Sequence, residues 1–247
     1  MKDNFSAQAV SYAQFRPGYP DALIDYITSF VPEKDIALDL ATGNGQVAKK
    51  LAPHFKKVFA TDISEKQLEN AAQADNIVYK KEPAEHTSFE DNTFNLITVA
   101  QAVHWFDFSV FYKEAYRILK PDGVFAALGY GLFSTNERTD KILRHYYYDI
   151  VGPYWDAERK HIDARYRTIP FPFKEIETVD WSESFVWTFE QLTGYLETWS
   201  ATQHYKKKTG INPVDLIRHE LSLVWPTTNM KVTFPLLLRI GRPFTKF

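Results

Sequence analysis

The sequence predicts an α/β fold, a Rossmann-like, doubly wound and mostly parallel sheet with a partly helical cap inserted after the fifth strand. Three observations carry that prediction. Five short apolar runs alternate with segments of helical periodicity between residues 36 and 130. The first run, IALDL, passes directly into the glycine-punctuated turn ATGNG at 41–45, and a helical segment follows at once. The second run ends in an acid, Asp62, nineteen residues after Gly43.

Ahead of the sheet, YPDALIDYITSF (19–30) sets Leu23, Ile27 and Phe30 at helical spacing, with Pro20 suited to the first turn. IALDL (36–40) is a short apolar run bounded by turn signals, as a buried parallel strand requires. KVFATD (57–62) is the second strand, and SEKQLENAAQA after it is a helix with Ser64 and Gln67 in capping-box spacing. NIVYKK (76–81) and FNLITVA (94–100) are the third and fourth strands. FSVFYKEAYRILK (108–120) is an amphipathic helix with Asp107 as its N-cap and PDG at 121–123 as its stop. VFAALGY (124–130) is the fifth strand.

From Gly131 to Pro172 the alternation breaks down into a stretch rich in Tyr and Arg, which reads as a cap over the ligand edge of the sheet. WSESFVW is then a strand, and TFEQLTGYLETWSA a helix with Thr188 and Gln191 in capping-box spacing. NPVDLIRHELSLVW is a helix capped by Asn212 with Pro213 in its first turn, and FPLLLRI (234–240) is a last strand. The chain therefore reads as one domain in four parts. Residues 1–30 form a helical cover, 31–130 a cofactor-binding core, 131–175 the cap, and 176–247 a part that completes the sheet.

Composition narrows the function. Among 247 residues, 45% are hydrophobic and 24% charged, the balance of an ordinary soluble domain. A net charge of -2 lacks the basic footprint that phosphate backbones demand, so nucleic acid is not an expected partner. No window approaches a membrane span or a signal-peptide core, which makes the cytoplasm the expected location. The absence of cysteine excludes thiolate nucleophiles and disulfides, and seven scattered histidines give no metal-ligand spacing. Aromatic residues reach 16%, enough to suggest that some line a pocket for an organic ligand. Oligomeric state is not legible.

The glycine turn is a nucleotide cradle by its chemistry. Gly43 and Gly45 let the backbone approach a ligand closely, and Asp62 fits the acid that accepts both ribose hydroxyls. Gly43, Gly45 and Ala48 also satisfy a loose dinucleotide fingerprint, and Tyr116 with Lys120 matches the Tyr–x–x–x–Lys pair of one dehydrogenase class, without that class's glycine pattern upstream. A nicotinamide-dependent oxidoreductase is thus the alternative on the same fold. Against it stands Asp39, a charge inside an apolar strand that calls for a cationic partner, such as the ammonium of an amino-acid moiety.

Four ordered stretches carry a resemblance: LDLATGNGQVA, ATDIS, KEPAEHTSFEDNTFNLITVAQAVHWFD and FYKEAYRILKPDGVFAAL. Together they resemble the class I S-adenosylmethionine-dependent methyltransferases of the type 11 kind, and within them the small-molecule group that includes trans-aconitate methyltransferase. The resemblance covers residues 5–130 well and GYLETWSATQHY and PLLLRIGR weakly. It implies S-adenosylmethionine as cofactor and S-adenosylhomocysteine as product; the scattered histidines give no expectation of a metal. By the same resemblance Asp39, Ala41, Gly43 and Gly45 hold the methionine moiety, joined by Tyr12 and Arg16. Asp62 takes the ribose, Ile63 packs on the adenine, Ala84 and Glu85 border its amino edge, and Gln101 sits beside the cofactor. Two positions depart from the common pattern: Ala41 replaces a glycine, and Pro83 replaces an acid that reads the adenine.

On the acceptor side, His104 and Trp105 follow the fourth strand at the ligand edge, with His104 as the candidate catalytic group. Tyr146, Tyr147, Tyr148, Tyr154, Trp155 and Trp199 are candidate pocket walls, with Tyr147 and Trp199 singled out. Arg138, Arg144, Arg165 and Arg167 are the candidates to pair with an anion, while Lys206–Lys208 reads as a solvated helix end. The expected activity is methyl transfer to a small organic molecule, foremost a carboxylate, by proximity and orientation. A catalytically idle S-adenosylmethionine-binding module is the second alternative.

Overall fold

The computed structural model describes residues 15–226 and 229–244. Its centre is an eight-stranded sheet. The strands are β1 (Ile36–Leu40), β2 (Lys57–Asp62), β3 (Ile77–Lys81), β4 (Phe94–Ala100), β5 (Leu119–Tyr130), β6 (Lys174–Ile176), β7 (Trp181–Trp187) and β8 (Met230–Arg242). They run in the order β3-β2-β1-β4-β5-β8-β6, with β7 also paired to β8. The first five are parallel, whereas β8 is antiparallel to β5, and β6 and β7 are antiparallel to β8. Strand order reverses between β1 and β4. Successive connections there leave to opposite sides, and their diverging loops open a crevice at the carboxyl ends.

Alternate residues of the sheet feed two buried clusters, one on each face. Ala37 packs with Leu23, Ile27, Val47 and Leu51, and Leu38 and Leu40 pack with Phe94, Ile97, Phe111 and Ile118. The capping chemistry read from the sequence is largely in place. Asp107 accepts from the Ser109 and Val110 amides at the head of the Phe108–Ile118 helix. Thr188 and Gln191 form a complete capping box on the Phe189–Glu197 helix.

Four helices differ from expectation, three of them because a side chain takes over a backbone group. The helix after β2 spans only Glu65–Glu69: Asn70 donates from Nδ2 to the Lys66 carbonyl at 2.8 Å and ends it. The helix at 108 stops at Ile118 rather than 120, since Leu119 already pairs with Phe94 and the PDG turn is absorbed where the β4–β5 register shifts. TFEQLTGYLETWSA is broken at Thr198–Trp199 into the helices Phe189–Glu197 and Ser200–Thr209. There Arg16 Nη2 donates to the Thr198 carbonyl at 3.0 Å, removing a group the helix would use. Asn212 is not an N-cap; its Oδ1 accepts from Val214 N at 3.3 Å in an Asx turn, and the helix starts at Asp215.

The cap is partly helical, as expected. The Glu137–His145 helix widens into a π turn at Tyr146–Ile150, and a short helix follows at Arg159–Asp163. Backbone strain sits at the sheet's carboxyl edge: Ala41 and Gln101 lie at φ of 52° and 54°, one beyond β1 and one beyond β4. Because an L-residue costs about 1 kcal/mol there, Ala41→Gly is expected to leave stability unchanged or raise it by up to about 0.5 kcal/mol, the relief being offset by unfolded-state entropy. Ala48→Gly, inside a helix, is expected to lose about 1 kcal/mol or more. Urea unfolding of both variants checks the contrast, and equal losses would contradict it.

Candidate functional site

The cradle is built from the turn between β1 and the Gln46–Leu51 helix. Gly43 and Gly45 have φ of 58° and 76°, which glycine adopts without strain. A Cβ on Gly45 would lie 2.2 Å from Tyr79 Oη, so the position is closed to any side chain. Asp62, at the end of β2, accepts from Gly43 N at 2.9 Å and from Ser64 N at 2.8 Å. Two main-chain amides thus hold that carboxylate at the crevice.

Asp39 plays a different part from the one its sequence position suggests. It is buried, and its oxygens are engaged inside the protein. Thr42 Oγ1 donates to Oδ2 at 2.5 Å, Ala48 N to the same oxygen at 3.1 Å, and Thr98 Oγ1 to Oδ1 at 2.8 Å. No ligand ammonium is therefore needed to explain the charge in this strand. Burial pushes the carboxyl up to about 6 despite these donors, with Asp62 adding a smaller push in the same direction.

Two cavities meet at the switch point. Arg16, Ala41, Thr42, Gly43, Gln101 and Tyr130 line the first, beside the glycine turn. Arg16 and Gln101 also line the second, together with His104, Trp105, Trp155, Asp156, Arg159, Ile162 and Ser200. Gln101 acts as a clamp between β4 and β5: its Oε1 accepts from Tyr130 N at 3.0 Å, and its Nε2 donates to Tyr130 O at 3.3 Å. Arg16 Nη1 donates to Tyr130 Oη at 3.1 Å, and its guanidinium lies 5.4 Å from the Tyr195 ring centre.

His104 is buried between Trp105 and Tyr166, with ring centres 4.9 and 6.0 Å away. Its Nδ1 is 3.5 Å from Tyr166 Oη. Burial first, then the Arg159 and His161 charges, pull its pKa down to about 3. The imidazole is neutral at any physiological pH and is a weak proton acceptor.

Besides Arg16 the cavity holds Arg159, which the sequence reading does not single out. Its Nε donates to Tyr147 Oη at 2.7 Å and lies 3.4 Å from Asp163 Oδ1, and its guanidinium sits 4.5 Å from the Trp155 ring centre. Among the described residues its two terminal nitrogens make no hydrogen bond. The four arginines picked from sequence are exposed and line neither cavity: Arg138 and Arg144 face solvent from the cap helix, Arg165 pairs with Asp180 at 2.8 Å, and Arg167 is exposed nearby. The only sequence signal for Arg159 was its spacing of four to Asp163 on one short helix, which reads equally well as a surface ion pair.

Tyr147 and Trp199 are not among the residues lining either cavity. Both are fully buried, and Tyr147 supports Arg159 from behind, its hydroxyl donating to Asp163 Oδ1 at 2.6 Å. The aromatic excess of the cap goes chiefly into packing. Tyr146 donates to or accepts from Thr202 at 2.7 Å within the core, Tyr154 packs on Tyr205, and Tyr148 is exposed. Lys208 lies 5.3 Å from the Tyr154 ring centre, so the lysine run is in part a packing feature. Trp155 is the aromatic of that group that does line a cavity.

Beyond β2 and β3, Ile63 is half-buried, Ala84 buried, Glu85 half-buried and Pro83 exposed, and Glu82 N donates to the Asp62 carbonyl at 3.1 Å. Tyr12 lies outside the described residues. Tyr116 and Lys120 form no dehydrogenase pair. The Tyr116 hydroxyl donates to the Pro172 carbonyl, and Lys120 Nζ donates to Asn95 Oδ1 at 3.3 Å.

Comparison with known proteins agrees with this geometry. The type 11 methyltransferase domain family matches residues 38–127. A Dictyostelium discoideum protein named as a methyltransferase is 34% identical over 251 residues, covering 97% of this chain and 95% of its own length. The solved structure of an Anaeromyxobacter dehalogenans protein named as a type II methyltransferase is similar at a TM-score of 0.85 and 35% identity, covering 93% of this chain and all of that one. A phosphoethanolamine N-methyltransferase from Haemonchus contortus, solved with S-adenosylhomocysteine, shares the fold alone. Its TM-score is 0.50 at 19% identity, over 97% of this chain and 58% of its own. These likenesses do not favour the oxidoreductase alternative.

The buried Asp39 makes stability depend on pH. A carboxyl raised in the folded state is protonated there while the unfolded chain has already released its proton, so stability falls as pH rises from about 4 to about 6. The loss is at most about 3 kcal/mol. In Asp39→Asn that portion of the pH dependence is expected to vanish. Thermal unfolding of both proteins across that range checks it, and parallel profiles would contradict it.

Proposed function

This chain belongs to the class I methyltransferases, and from that premise we propose that it transfers a methyl group from S-adenosylmethionine to a carboxylate oxygen of a small organic acid. The observation that carries the reading is the junction of the two cavities through Arg16 and Gln101, with the terminal nitrogens of Arg159 in the outer one. The cradle fits the cofactor. Its backbone is closed to a side chain at Gly45, and Asp62 is held by two amides where a pair of ribose hydroxyls can donate to it. Ile63, Ala84 and Glu85 stand beyond the ends of β2 and β3, where the adenine would lie. The presence of S-adenosylhomocysteine in the Haemonchus enzyme supports the same choice.

When bound, S-adenosylmethionine supplies a methyl carbon on a positively charged sulfur that departs as a neutral thioether. The protein's share is then mostly placement. Arg159 and Arg16 would hold and orient an anion, and planar guanidinium donors suit a carboxylate in two-pronged fashion. Trp105, Trp155 and Ile162 limit water at the same cavity. His104 can hydrogen-bond but does not take a proton near neutrality, which matches an acceptor that is already ionised. Holding the nucleophile about 3 Å from the methyl carbon supplies most of the acceleration such a reaction needs.

Calorimetry with S-adenosylmethionine, S-adenosylhomocysteine and NAD tests the cofactor. Asp62→Ala is expected to weaken binding of the first two by about 2–3 kcal/mol, the range for hydrogen bonds to a charged group. Tight NAD binding without heat from S-adenosylmethionine would overturn the assignment, and cofactor binding without any turnover would favour an idle binding module. A labelled-methyl screen over small acids, phenols, amines, peptides and tRNA tests the acceptor. Methyl esters are the expected products, with His104→Ala retaining activity within about tenfold and Arg159→Gln losing about 2 kcal/mol in kcat/KM. Label confined to tRNA or peptide, or to amines in a His104-dependent way, would refute the carboxylate.

A further inference from the structure

The outer cavity holds a charged group that the reading above leaves unused, the carboxylate of Asp156. Its side chain is 14% exposed, and Oδ2 is fully buried with no hydrogen-bond partner among the described residues. His204 Nδ1 lies 3.8 Å from it and already donates to the Tyr154 carbonyl at 3.0 Å. A buried carboxylate oxygen without a donor is a rare and unfavourable arrangement, and a carboxylate can only accept. The Asp156 side chain lines the same cavity as Arg159, whose terminal nitrogens can only donate. The cavity lining therefore offers both donors and an acceptor.

Resting on the carboxylate reading, we propose that the methyl acceptor is a hydroxy acid: its carboxylate engages Arg159 and its hydroxyl donates to Asp156. An ammonium would also satisfy Asp156, but charge counting disfavours it. Two guanidinium groups, Arg16 and Arg159, line the cavity against one carboxylate, and Asp163 offsets Arg159 only from its Nε side. The sulfonium of the cofactor would add a further positive charge. A neutral hydroxyl with an anionic carboxylate lowers that excess, whereas an amino acid leaves it in place in a cavity that water scarcely screens. Donor and acceptor groups lining one cavity also distinguish the two ends of such a molecule, so that one carboxylate is presented in one orientation.

The test uses the full chain saturated with S-adenosylhomocysteine and matched acids that differ by one group: butanoate, 3-hydroxybutanoate and 3-aminobutanoate, and benzoate with its three hydroxybenzoates. At least one hydroxy acid is expected to bind about tenfold or more tighter than its parent by calorimetry, the size of one well-made hydrogen bond to a charged group. In Asp156→Leu that preference is expected to disappear. In Asp156→Asn, which keeps an acceptor oxygen, it is expected to survive in part. Unchanged affinity of both variants for S-adenosylhomocysteine shows that they are folded. Turnover of the preferred acid with labelled cofactor should yield a methyl ester with its hydroxyl free. Equal binding of hydroxy and parent acids, a preference that persists in Asp156→Leu, an equal gain from the amino group, or a methyl ether as product would each overturn the hydroxy-acid proposal. If no acid of either kind binds or is methylated, the carboxylate reading itself has failed.

Discussion

The carboxylate of Asp39 is the interaction on which the rest of the architecture depends. It sits in the middle one of the five parallel strands and collects three donors from three places: Thr42 in the turn, Ala48 in the first turn of the following helix, and Thr98 in the neighbouring strand β4. Those bonds fix β1, its turn, its helix and β4 to one another at the point where strand order reverses. Burial of the charge is unfavourable, as its raised pKa records, and the donors offset only part of it. What the arrangement secures is geometry. With Thr42 held, the turn places Gly43 N on Asp62, and the second carboxylate is aimed by the first. The strained Ala41 belongs to the same turn, where its unusual φ is sustained by the surrounding bonds.

A second set of bonds ties the outer cavity to this centre. Arg16 links the segment before the sheet to Tyr130 at the end of β5 and to the break between two C-terminal helices at Thr198. Gln101 clamps the end of β4 to Tyr130 as a side-chain substitute for a strand partner. Gly129 makes room for both Gln101 and Tyr166, since a Cβ there would lie 2.9 Å from Gln101 Oε1 and 2.7 Å from Tyr166 Oη. Arg159 reaches the same cavity from the cap, backed by Tyr147 and Asp163. The site is thus assembled from elements far apart in the chain, such as the 182 residues that separate Arg16 from Thr198.

That difference in sequence span explains what was legible. The strands KVFATD and WSESFVW are read to the residue because apolar pattern and flanking turn chemistry agree there. The cradle was visible because a strand, a glycine turn and an acid at a fixed interval are local features. Element ends failed where a single side chain competed for a backbone group, as at Asn70, Thr198 and Asn212, and periodicity cannot show such competition. The acceptor side failed for another reason. Composition pointed to tyrosines and arginines in the cap, but whether each packs inward or faces the cavity is decided by the π turn at Tyr146–Ile150 and by tertiary contacts. Tyr147 and Trp199 went to the core, and Arg159 to the cavity.

The electrostatics of that cavity bear on how methyl transfer can proceed. His104 is held neutral by burial, and the guanidinium of Arg159 pushes in the same direction. A positive group poised for an anion therefore weakens the one imidazole that could have served as a base, so the two roles oppose each other in a single site. A phenol or amine acceptor would need the base that this environment removes, whereas a carboxylate gains from the very charge that removes it. The same charge excess makes Asp156 useful, since it can take a hydroxyl hydrogen without asking for another cation. On the carboxylate reading proposed above, neutral imidazole, donor-only arginine and acceptor-only aspartate play complementary parts, because the ligand arrives with its nucleophile already ionised.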